Sequence, residues 1–254
     1  MFNALHVNDL TLYRSSLIDS FNHIGHAFST RLGGVSPEPY NSLNLGLNVG
    51  DSDENVVRNR DLFLKSINAG QGQLACGVQV HGNRVQRVEN PGLFDATDAL
   101  ITDKKNIVLA IKTADCVPVL LYNPVHHVLA AVHGGWRSVK QDIVPKTVNL
   151  MSSEYGAKPD DIYCAIGPSI RPCCYEVQRD MADQFPTDSI NRKDDRLFLN
   201  LVEVIKSQLL VSGLLPGRID DSEICTCCHY ELFFSYRREG AQSGRMMMAA
   251  VLKY

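Results

Sequence analysis

The sequence predicts a mixed α+β fold in which strands outnumber helices. Between residues 74 and 132, short apolar runs recur between turn residues, and helical patterns are fewer and interspersed along the chain. The runs VPVLL and VLAAV lack a clean alternation of apolar and polar residues, which is typical of strands buried on both faces. The 254 residues are 44% hydrophobic and 21% charged, an ordinary globular composition, and we expect residues 1–254 to form a single domain.

The predicted elements follow from local patterns along the chain. Residues 26–30 have the pattern of a short strand, and residues 31–50 are rich in glycine, proline, asparagine and serine, which predicts an irregular loop. Ser52 or Asp53 can cap a helix that ends near residue 67, with Gly70 beyond it. Further strands are predicted at 74–80, 84–88, 98–102, 107–111, 117–122, 127–132, 161–166, 232–236 and 245–252, and further helices at 139–153, 176–184 and 201–211.

Charge and hydropathy argue against several classes of partner. The formal net charge is −3 and no run of lysine and arginine reaches five, so we expect no nucleic-acid partner. Apolar stretches are interrupted well before the ~18 residues of a membrane span. The N-terminal segment lacks the basic start and apolar core of a signal peptide. We therefore expect a cytoplasmic protein without a membrane partner, either a monomer or a small homo-oligomer.

Three residues in separate motifs are the main candidates for chemistry. His81 in QVHG and His133 in VHGGW each follow an apolar run and precede glycine, and Cys116 in TADC precedes the run VPVLL. Each is therefore expected at the end of a strand, where sites are commonly built. Imidazole and thiolate are preferred ligands of zinc and copper, and a cysteine beside a histidine is also the minimal set for nucleophilic catalysis.

A metal bound by these three residues would keep its fourth tetrahedral position open for water or substrate, which is the catalytic pattern. Asp115, next to Cys116, is then a candidate for orienting a ligand or transferring a proton. Without a metal, Cys116 would be the nucleophile and a histidine its base.

Two arginines and one asparagine are candidates for binding substrate or phosphate. Arg31 in STRLGG combines a fixed charge with glycines that allow a close backbone approach, and Arg137 follows His133 by four residues. Asn44 in SLNLGLNVGD is a further candidate, although turn chemistry alone accounts for its presence there.

The chain has eight cysteines, which in a chain of this length are expected as free thiols or metal ligands. In CTCCH, at residues 225–229, they are more crowded than the usual Cys-x-x-Cys arrangement, and no second pair lies nearby in sequence. Cys173-Cys174 likewise lacks a partner pattern. We therefore expect no independent structural zinc site at either place.

The motifs together resemble the bacterial YfiH-like family, also called the laccase-domain or multicopper polyphenol oxidase family. This family is now described as purine nucleoside phosphorylases with a peptidoglycan-editing branch. The resemblance spans residue 25 to the C-terminus. It is carried, in order, by HAFSTRLGGVS, YNSLNLGLNVGD, NVVRNR, QVHGNRV, DALIT, TADCVPVLL, AAVHGGWRS, AIGPSIRPCCYEV, CTCCHYELFFSYRREG and SGRMM.

The resemblance implies a layered α/β/β/α sandwich with mixed sheets and a catalytic zinc site formed by His81, Cys116 and His133. It also implies purine nucleosides and phosphate as substrates: phosphorolysis of adenosine, inosine, guanosine and methylthioadenosine, together with deamination of adenosine. The family usually reads HAGWRG where this chain has HGGWRS, so Gly134 and Ser138 are small replacements that preserve the spacing of the site.

Three other functions compete with this interpretation. The first is a cysteine hydrolase or amidase that edits a peptidoglycan precursor with Cys116 as its nucleophile. The second is a copper polyphenol oxidase, in which copper replaces zinc. Eight histidines and one His-Cys-His site are too few for the several coppers of such an enzyme. The third is a non-enzymatic scaffold that binds a partner through residues 31–50.

Overall fold

The computed structural model describes residues 1–253. Its strands are β1 Phe2–Val7, β2 Leu10–Ser15, β3 Ile24–Ser29, β4 Leu74–Gly77, β5 Val85–Arg87, β6 Gly92–Phe94, β7 Ala99–Thr102, β8 Val108–Thr113, β9 Val117–Asn123, β10 Val128–Gly134, β11 Tyr163–Ile166, β12 Glu176–Val177, β13 Ile190–Lys193, β14 Arg196–Leu199, β15 Ile219–Asp221 and β16 Met246–Leu252. Its helices are α1 Ser16–Asp19, α2 Asp53–Lys65, α3 Trp136–Lys140, α4 Ile143–Tyr155, α5 Arg179–Ala182, α6 Leu201–Val211 and α7 Tyr236–Glu239.

The strands form two large mixed sheets and one small sheet. The first has the order β1-β2-β3-β16-β8-β4-β6, the second β15-β11-β9-β10-β7-β5, and the third β12-β14-β13. Most neighbours are antiparallel, whereas β4 pairs in parallel with β6 and β8, β5 with β7, and β11 with β15. The predicted mixed sheets are therefore confirmed.

Three apolar layers hold the sheets and helices together. Ile111 of the first sheet and Leu120 and Leu129 of the second belong to a core between the two sheets. The outer face of the first sheet packs against Phe63 of α2, and that of the second packs against Met151 of α4, as well as against α6. The resulting order of layers, helix, sheet, sheet, helix, is the predicted α/β/β/α sandwich.

Strands β9 and β10 are buried along their whole length, as their uninterrupted apolar runs predict. In β10, Leu129 and Ala131 face the core between the sheets, whereas Val128, Ala130 and Val132 face the helices. This alternation follows from the two-residue period of a strand.

Three sequence predictions for local structure are wrong. Residues 232–236 form no strand; the aromatic pair Phe233 and Phe234 is buried in a turn, and Ser235 then caps α7. Residues 176–184 form strand β12 and only the short helix α5. The helix predicted at 139–153 is split into α3 and α4 because Asp142 has a left-handed backbone, with φ of 57°.

The longest described helices, α2 and α4, have 13 residues each. A bilayer-spanning helix needs about 20 predominantly apolar residues. Within residues 1–253, no helix combines the required length and apolarity.

Candidate metal centre and cavity

The three candidate ligands converge at one end of the sandwich. His81 lies between β4 of the first sheet and β5 of the second, and Cys116 lies between β8 of the first sheet and β9 of the second. His133 is near the end of β10, the neighbour of β9. Two connections that cross between the sheets and one strand end thus bring together three residues that are far apart in sequence.

The donor atoms of this trio are close enough to bind one ion. The ligand atoms of His81, Cys116 and His133 all lie within 4.8 Å of one another. Cys116 Sγ is 3.8 Å from His81 Nε2, and the two imidazole centroids are 4.9 Å apart. Tetrahedral zinc, with Zn–S near 2.3 Å and Zn–N near 2.0 Å, requires donors roughly 3.3–3.8 Å apart. Small adjustments of the side chains meet this requirement, so the residues fit a metal ion.

Asp98 is a functional residue that the sequence reasoning missed. Its carboxylate accepts hydrogen bonds from the backbone N–H groups of Val80, His81 and Gly82 at 2.8–3.1 Å. Asp98 Oδ1 also lies 2.8 Å from His133 Nδ1. One fully buried carboxylate therefore orients both histidines and leaves Nε2 of His133 available as a ligand atom. The only signal in the sequence is its place in DALIT, at the start of β7.

The electrostatics of the trio favour the ligating form of the thiol. Burial opposes ionisation of Cys116, but His133 and His81 outweigh it and lower the pKa of the thiol to about 6. Burial also opposes protonation of His133, but the Cys116 thiolate and Asp98 raise the pKa of its imidazole to about 9. The thiolate is the form of cysteine that binds metals and attacks substrates.

Gly135 leaves the space that the trio needs. A Cβ atom at this position would lie 2.7 Å from Cδ2 of His81 and 3.5 Å from both Sγ of Cys116 and Cε1 of His133. The backbone of Gly135 is extended, so any residue could adopt its conformation. The glycine is therefore required by the close approach of His81 and not by its own backbone.

Asp115 lines the cavity beside Cys116, and both of its oxygens accept hydrogen bonds. Thr226 Oγ1 donates at 2.7 Å, Ser235 Oγ at 3.0 Å and the backbone N–H of Arg237 at 2.6 Å. Asp115 therefore ties the turn that carries Cys116 to two other loops. This geometry supports a role in positioning Cys116.

The trio opens into a cavity of about 760 Å³, which lies within the range of small-molecule sites. Aromatic side chains line it at Trp136, Tyr175 and Tyr236. Five cationic side chains also line it, and Asp115 is the one acidic residue among the described lining residues. The five cations are Arg60, Lys112, Arg137, Arg237 and Arg245.

None of the five cations forms a salt bridge with a carboxylate of residues 1–253. Burial lowers the pKa of Arg60, Lys112 and Arg245, and the two arginines also lower that of Lys112. Cations that repel one another without an acidic partner favour an anion at this end of the cavity.

Arg31 and Asn44 lie outside this cavity, whereas Arg137 lines it. The guanidinium of Arg31 is 2.9 Å from Glu239 Oε1 and also donates to Asn41. Asn44 is fully buried, and its Oδ1 accepts from the backbone N–H groups of Gly46 and Arg245. The structure therefore gives Arg31 a carboxylate partner, and it gives Asn44 a place behind two residues that line the cavity.

The expectation that the remaining cysteines lack a second pair is wrong. The sulfur atoms of Cys173, Cys174, Cys225 and Cys228 all lie within 4.8 Å of one another. The two pairs are about fifty residues apart in sequence, so their proximity depends on the tertiary fold.

Comparison with known proteins agrees with the fold and with these motifs. Residues 25–253 match the family model described as multi-copper polyphenol oxidoreductase laccase. The purine nucleoside phosphorylase YlmD of Bacillus subtilis is 36% identical over 237 residues, covering 87% of this chain and 85% of that protein. A purine nucleoside phosphorylase of Bacteroides thetaiotaomicron is 32% identical over 253 residues, covering 92% and 94%.

Solved structures show the same architecture. The crystal structure of a hypothetical protein YfiH of Bacillus licheniformis matches with a TM-score of 0.92 and 32% identity, covering 99% of both chains. That of YlmD from Geobacillus stearothermophilus matches with a TM-score of 0.91 and 31% identity, covering 98% of both chains. The chain belongs to the multi-copper polyphenol oxidoreductase laccase family, whose members include these YfiH and YlmD proteins.

Proposed function

We propose that this protein is a zinc-dependent purine nucleoside phosphorylase that also deaminates adenosine. The observation that carries the proposal is the joining of two features in one cavity. The His81–Cys116–His133 trio occupies one part of it, and five cations without acidic partners line the same space. The relatives named purine nucleoside phosphorylase support the same substrates.

The donor set favours zinc over copper. Two imidazoles and one thiolate with an open fourth position match catalytic zinc sites. A blue-copper site has the same three donors but adds a weak axial ligand, usually methionine, and no methionine is among the described residues that line the cavity. When bound, the ion supplies Lewis-acid polarisation of a substrate atom.

The cationic end of the cavity accounts for phosphate. In phosphorolysis, a phosphate oxygen forms a bond to C1′ of the ribose, the C1′–N9 bond breaks, and the purine leaves with the bonding electrons and takes up a proton. Lys112, Arg60 and Arg245 offset the charge of the phosphate and hold it for attack. Arg137 is placed to add a fourth cation from the start of α3.

The aromatic side chains of the cavity account for the purine. Trp136, Tyr175 and Tyr236 offer flat apolar surfaces to a planar base. Deamination of adenosine would use the same pocket, with water replacing the amino group of the base and ammonia leaving. Asp98 and Asp115 keep the ligating residues in place for both reactions.

Free thiols and intracellular metabolites as substrates fit a reducing compartment such as the cytoplasm. All eight cysteines are free in the structure. The proposal therefore includes a cytoplasmic site of action.

The test is a product assay with inosine and inorganic phosphate. The zinc-loaded protein is expected to release hypoxanthine and ribose 1-phosphate only when phosphate is present. Lys112→Met should raise the KM for phosphate about tenfold or more, with a much smaller change in the KM for inosine. Lys65→Met is the matched control, since Lys65 is exposed and paired with Asp61 on α2. Phosphate-independent hypoxanthine release, or equal KM values for both variants, would contradict the phosphate site.

Adenosine deamination is tested separately by following ammonia and inosine with phosphate omitted. We expect Cys116→Ala to abolish this activity together with phosphorolysis, because both depend on the same trio. A variant that deaminates at the full rate would separate the two reactions.

One observation favours a second candidate function, a cysteine hydrolase or amidase. Cys116, His133 and Asp98 have the order of nucleophile, base and orienting carboxylate, with 2.8 Å between His133 Nδ1 and Asp98 Oδ1. Chelation and alkylation distinguish the two. A chelator should abolish a zinc enzyme and spare a thiol nucleophile, whereas iodoacetamide should inactivate the metal-free hydrolase.

A further inference from the structure

A second group of cysteines lies outside the catalytic trio, where two loops meet. Cys173 and Cys174 are in the turn after β11, and Cys225 and Cys228 are in the turn after β15. Cys228 Sγ is 3.5 Å from Cys173 Sγ and 3.3 Å from Cys174 Sγ. The four sulfurs lie within 4.8 Å of one another, and none is in a disulfide.

We propose that Cys173, Cys174, Cys225 and Cys228 form a structural zinc site, separate from the catalytic one. Zn–S bonds near 2.3 Å give tetrahedral S···S distances of about 3.8 Å, and the observed separations bracket this value. Four thiolates fill a tetrahedral shell, which is the pattern of a closed structural site. Zinc is the ion because a tetrahedral sulfur set favours it, and no histidine or carboxylate completes the group in the described residues.

The loop around Cys225 is arranged to hold a thiolate. The backbone N–H groups of Cys228 and Arg171 donate to the Cys225 sulfur. Burial raises the pKa of this thiol, but these hydrogen bonds outweigh it and leave the pKa below its usual value. Backbone donors to a ligating sulfur stabilise its charge.

Two arginines offset the negative charge that four thiolates around zinc would carry. Arg238 donates from Nη1 to the carbonyl oxygens of Thr226 and Cys227, and Arg237 donates from Nη1 to those of Glu176 and Cys174. Both guanidinium groups therefore lie directly against the cysteine loops. Cations at this distance favour an anionic metal–thiolate group.

The site would join the two loops that form one wall of the catalytic cavity. Tyr175, next to Cys174, lines the cavity, and Ile170 lines it from the same loop. Thr226, between Cys225 and Cys228, donates to Asp115 beside Cys116. Apart from the sulfur group, the link between the loops near the cysteines is a single β-bridge from Ser169 to Cys225, together with the hydrogen bonds of Arg171. A bound ion would fix this wall.

Metal analysis of the purified, reduced protein tests the proposal. The wild-type chain should hold about two zinc ions, and the double variant Cys173→Ser/Cys228→Ser should hold about one. Cys227→Ser is the matched control, because Cys227 lies in the same turn but outside the four-sulfur group, and it should keep both ions. An unchanged zinc content in the double variant, or a disulfide between these residues in the reduced protein, would overturn the proposal.

Cobalt titration of Cys116→Ala gives a test that survives if the double variant does not fold. This variant has no sulfur left in the catalytic trio, so any sulfur-to-cobalt charge-transfer band must come from the other cysteines. We expect such a band with the intensity of tetrahedral sulfur coordination, saturating at one equivalent. Absence of the band would overturn the proposal. Neither measurement uses activity, so the result is independent of the proposed phosphorylase function.

Discussion

The two thiol clusters of this protein differ in their number of ligands and in their surroundings. His81, Cys116 and His133 supply three ligands beside a cavity of about 760 Å³. The second cluster supplies four sulfurs in two surface turns, and two of its members, Cys173 and Cys228, are exposed. An incomplete shell beside a cavity can accept a substrate, whereas a complete shell can only hold the chain together. The same residue type thus serves catalysis in one place and structure in the other.

The largest expected difference between the clusters is in catalysis. Cys116→Ala should lower phosphorolysis by about a thousandfold or more, because a metal ion supplies several kcal/mol of transition-state stabilisation. Cys174→Ser should leave kcat within about tenfold of the wild type and should lower the melting temperature by roughly 10 °C, since structural zinc contributes directly to folding. Steady-state kinetics and thermal unfolding check the pair. Equal losses of activity in the two variants would erase the distinction.

The next prediction concerns thiol reactivity after the metal has been removed. The pKa of Cys116 is about 6, whereas burial and the hydrogen bond to Cys228 raise the pKa of Cys173 to about 12. At pH 7, iodoacetamide should therefore label Cys116 well before Cys173. The labelling rate of Cys116 should fall as the pH drops through about 6, because the thiolate becomes protonated. Peptide mass spectrometry follows both sites. Faster labelling of Cys173, or a midpoint for Cys116 near the ordinary thiol value of about 8.5, would be the contrary result.

Asp98 tests whether the catalytic cluster depends on its supporting carboxylate. Asp98→Asn keeps the size of the side chain but removes the charge beside His133 and reverses the polarity of one hydrogen-bonding atom. We expect a 10–100-fold loss of zinc affinity or activity, the usual cost of losing an orienting partner. Asp95→Asn, on an exposed residue three positions earlier, is the matched control. Comparable zinc affinity in the two variants would remove Asp98 from the site.

The smallest contrast is between two adjacent glycines. Gly135→Ala would place a Cβ 2.7 Å from Cδ2 of His81, so we expect roughly a tenfold loss of activity. Gly134→Ala would instead press on Val117 O at 2.8 Å within the sheet. We expect this second change to lower the melting temperature by roughly 2–4 °C and to leave kcat nearly unchanged. A catalytic loss confined to Gly134→Ala would contradict this picture of the site.

The catalytic trio could be predicted from sequence because each member is marked by its own surroundings. His81 and His133 each follow an apolar strand and precede glycine, and Cys116 precedes another apolar strand. Strand ends are where side chains leave the core, so local patterns were enough to propose that the three meet. Burial on both faces of β9 and β10 was also readable, because the apolar runs show it directly.

The remaining features depend on contacts that no local pattern shows. Arg31 has a suitable loop for an anion, but Glu239, 208 positions away, pairs with it. Cys173 and Cys174 gain their partners from a turn about fifty residues later. Asp98 was passed over because its hydrogen bonds join the start of β7 to the ends of two other connections. Each of these is a tertiary contact formed only when both sheets are in place.

The most direct test of the central claim is inosine phosphorolysis by zinc-loaded, chelator-stripped and zinc-restored protein. The account predicts phosphate-dependent ribose 1-phosphate from the loaded protein, its loss on stripping and its return when zinc is added, with no recovery in Cys116→Ala. Full turnover by the stripped protein would contradict a metal-dependent trio. No ribose 1-phosphate from the loaded protein would contradict the phosphorylase itself.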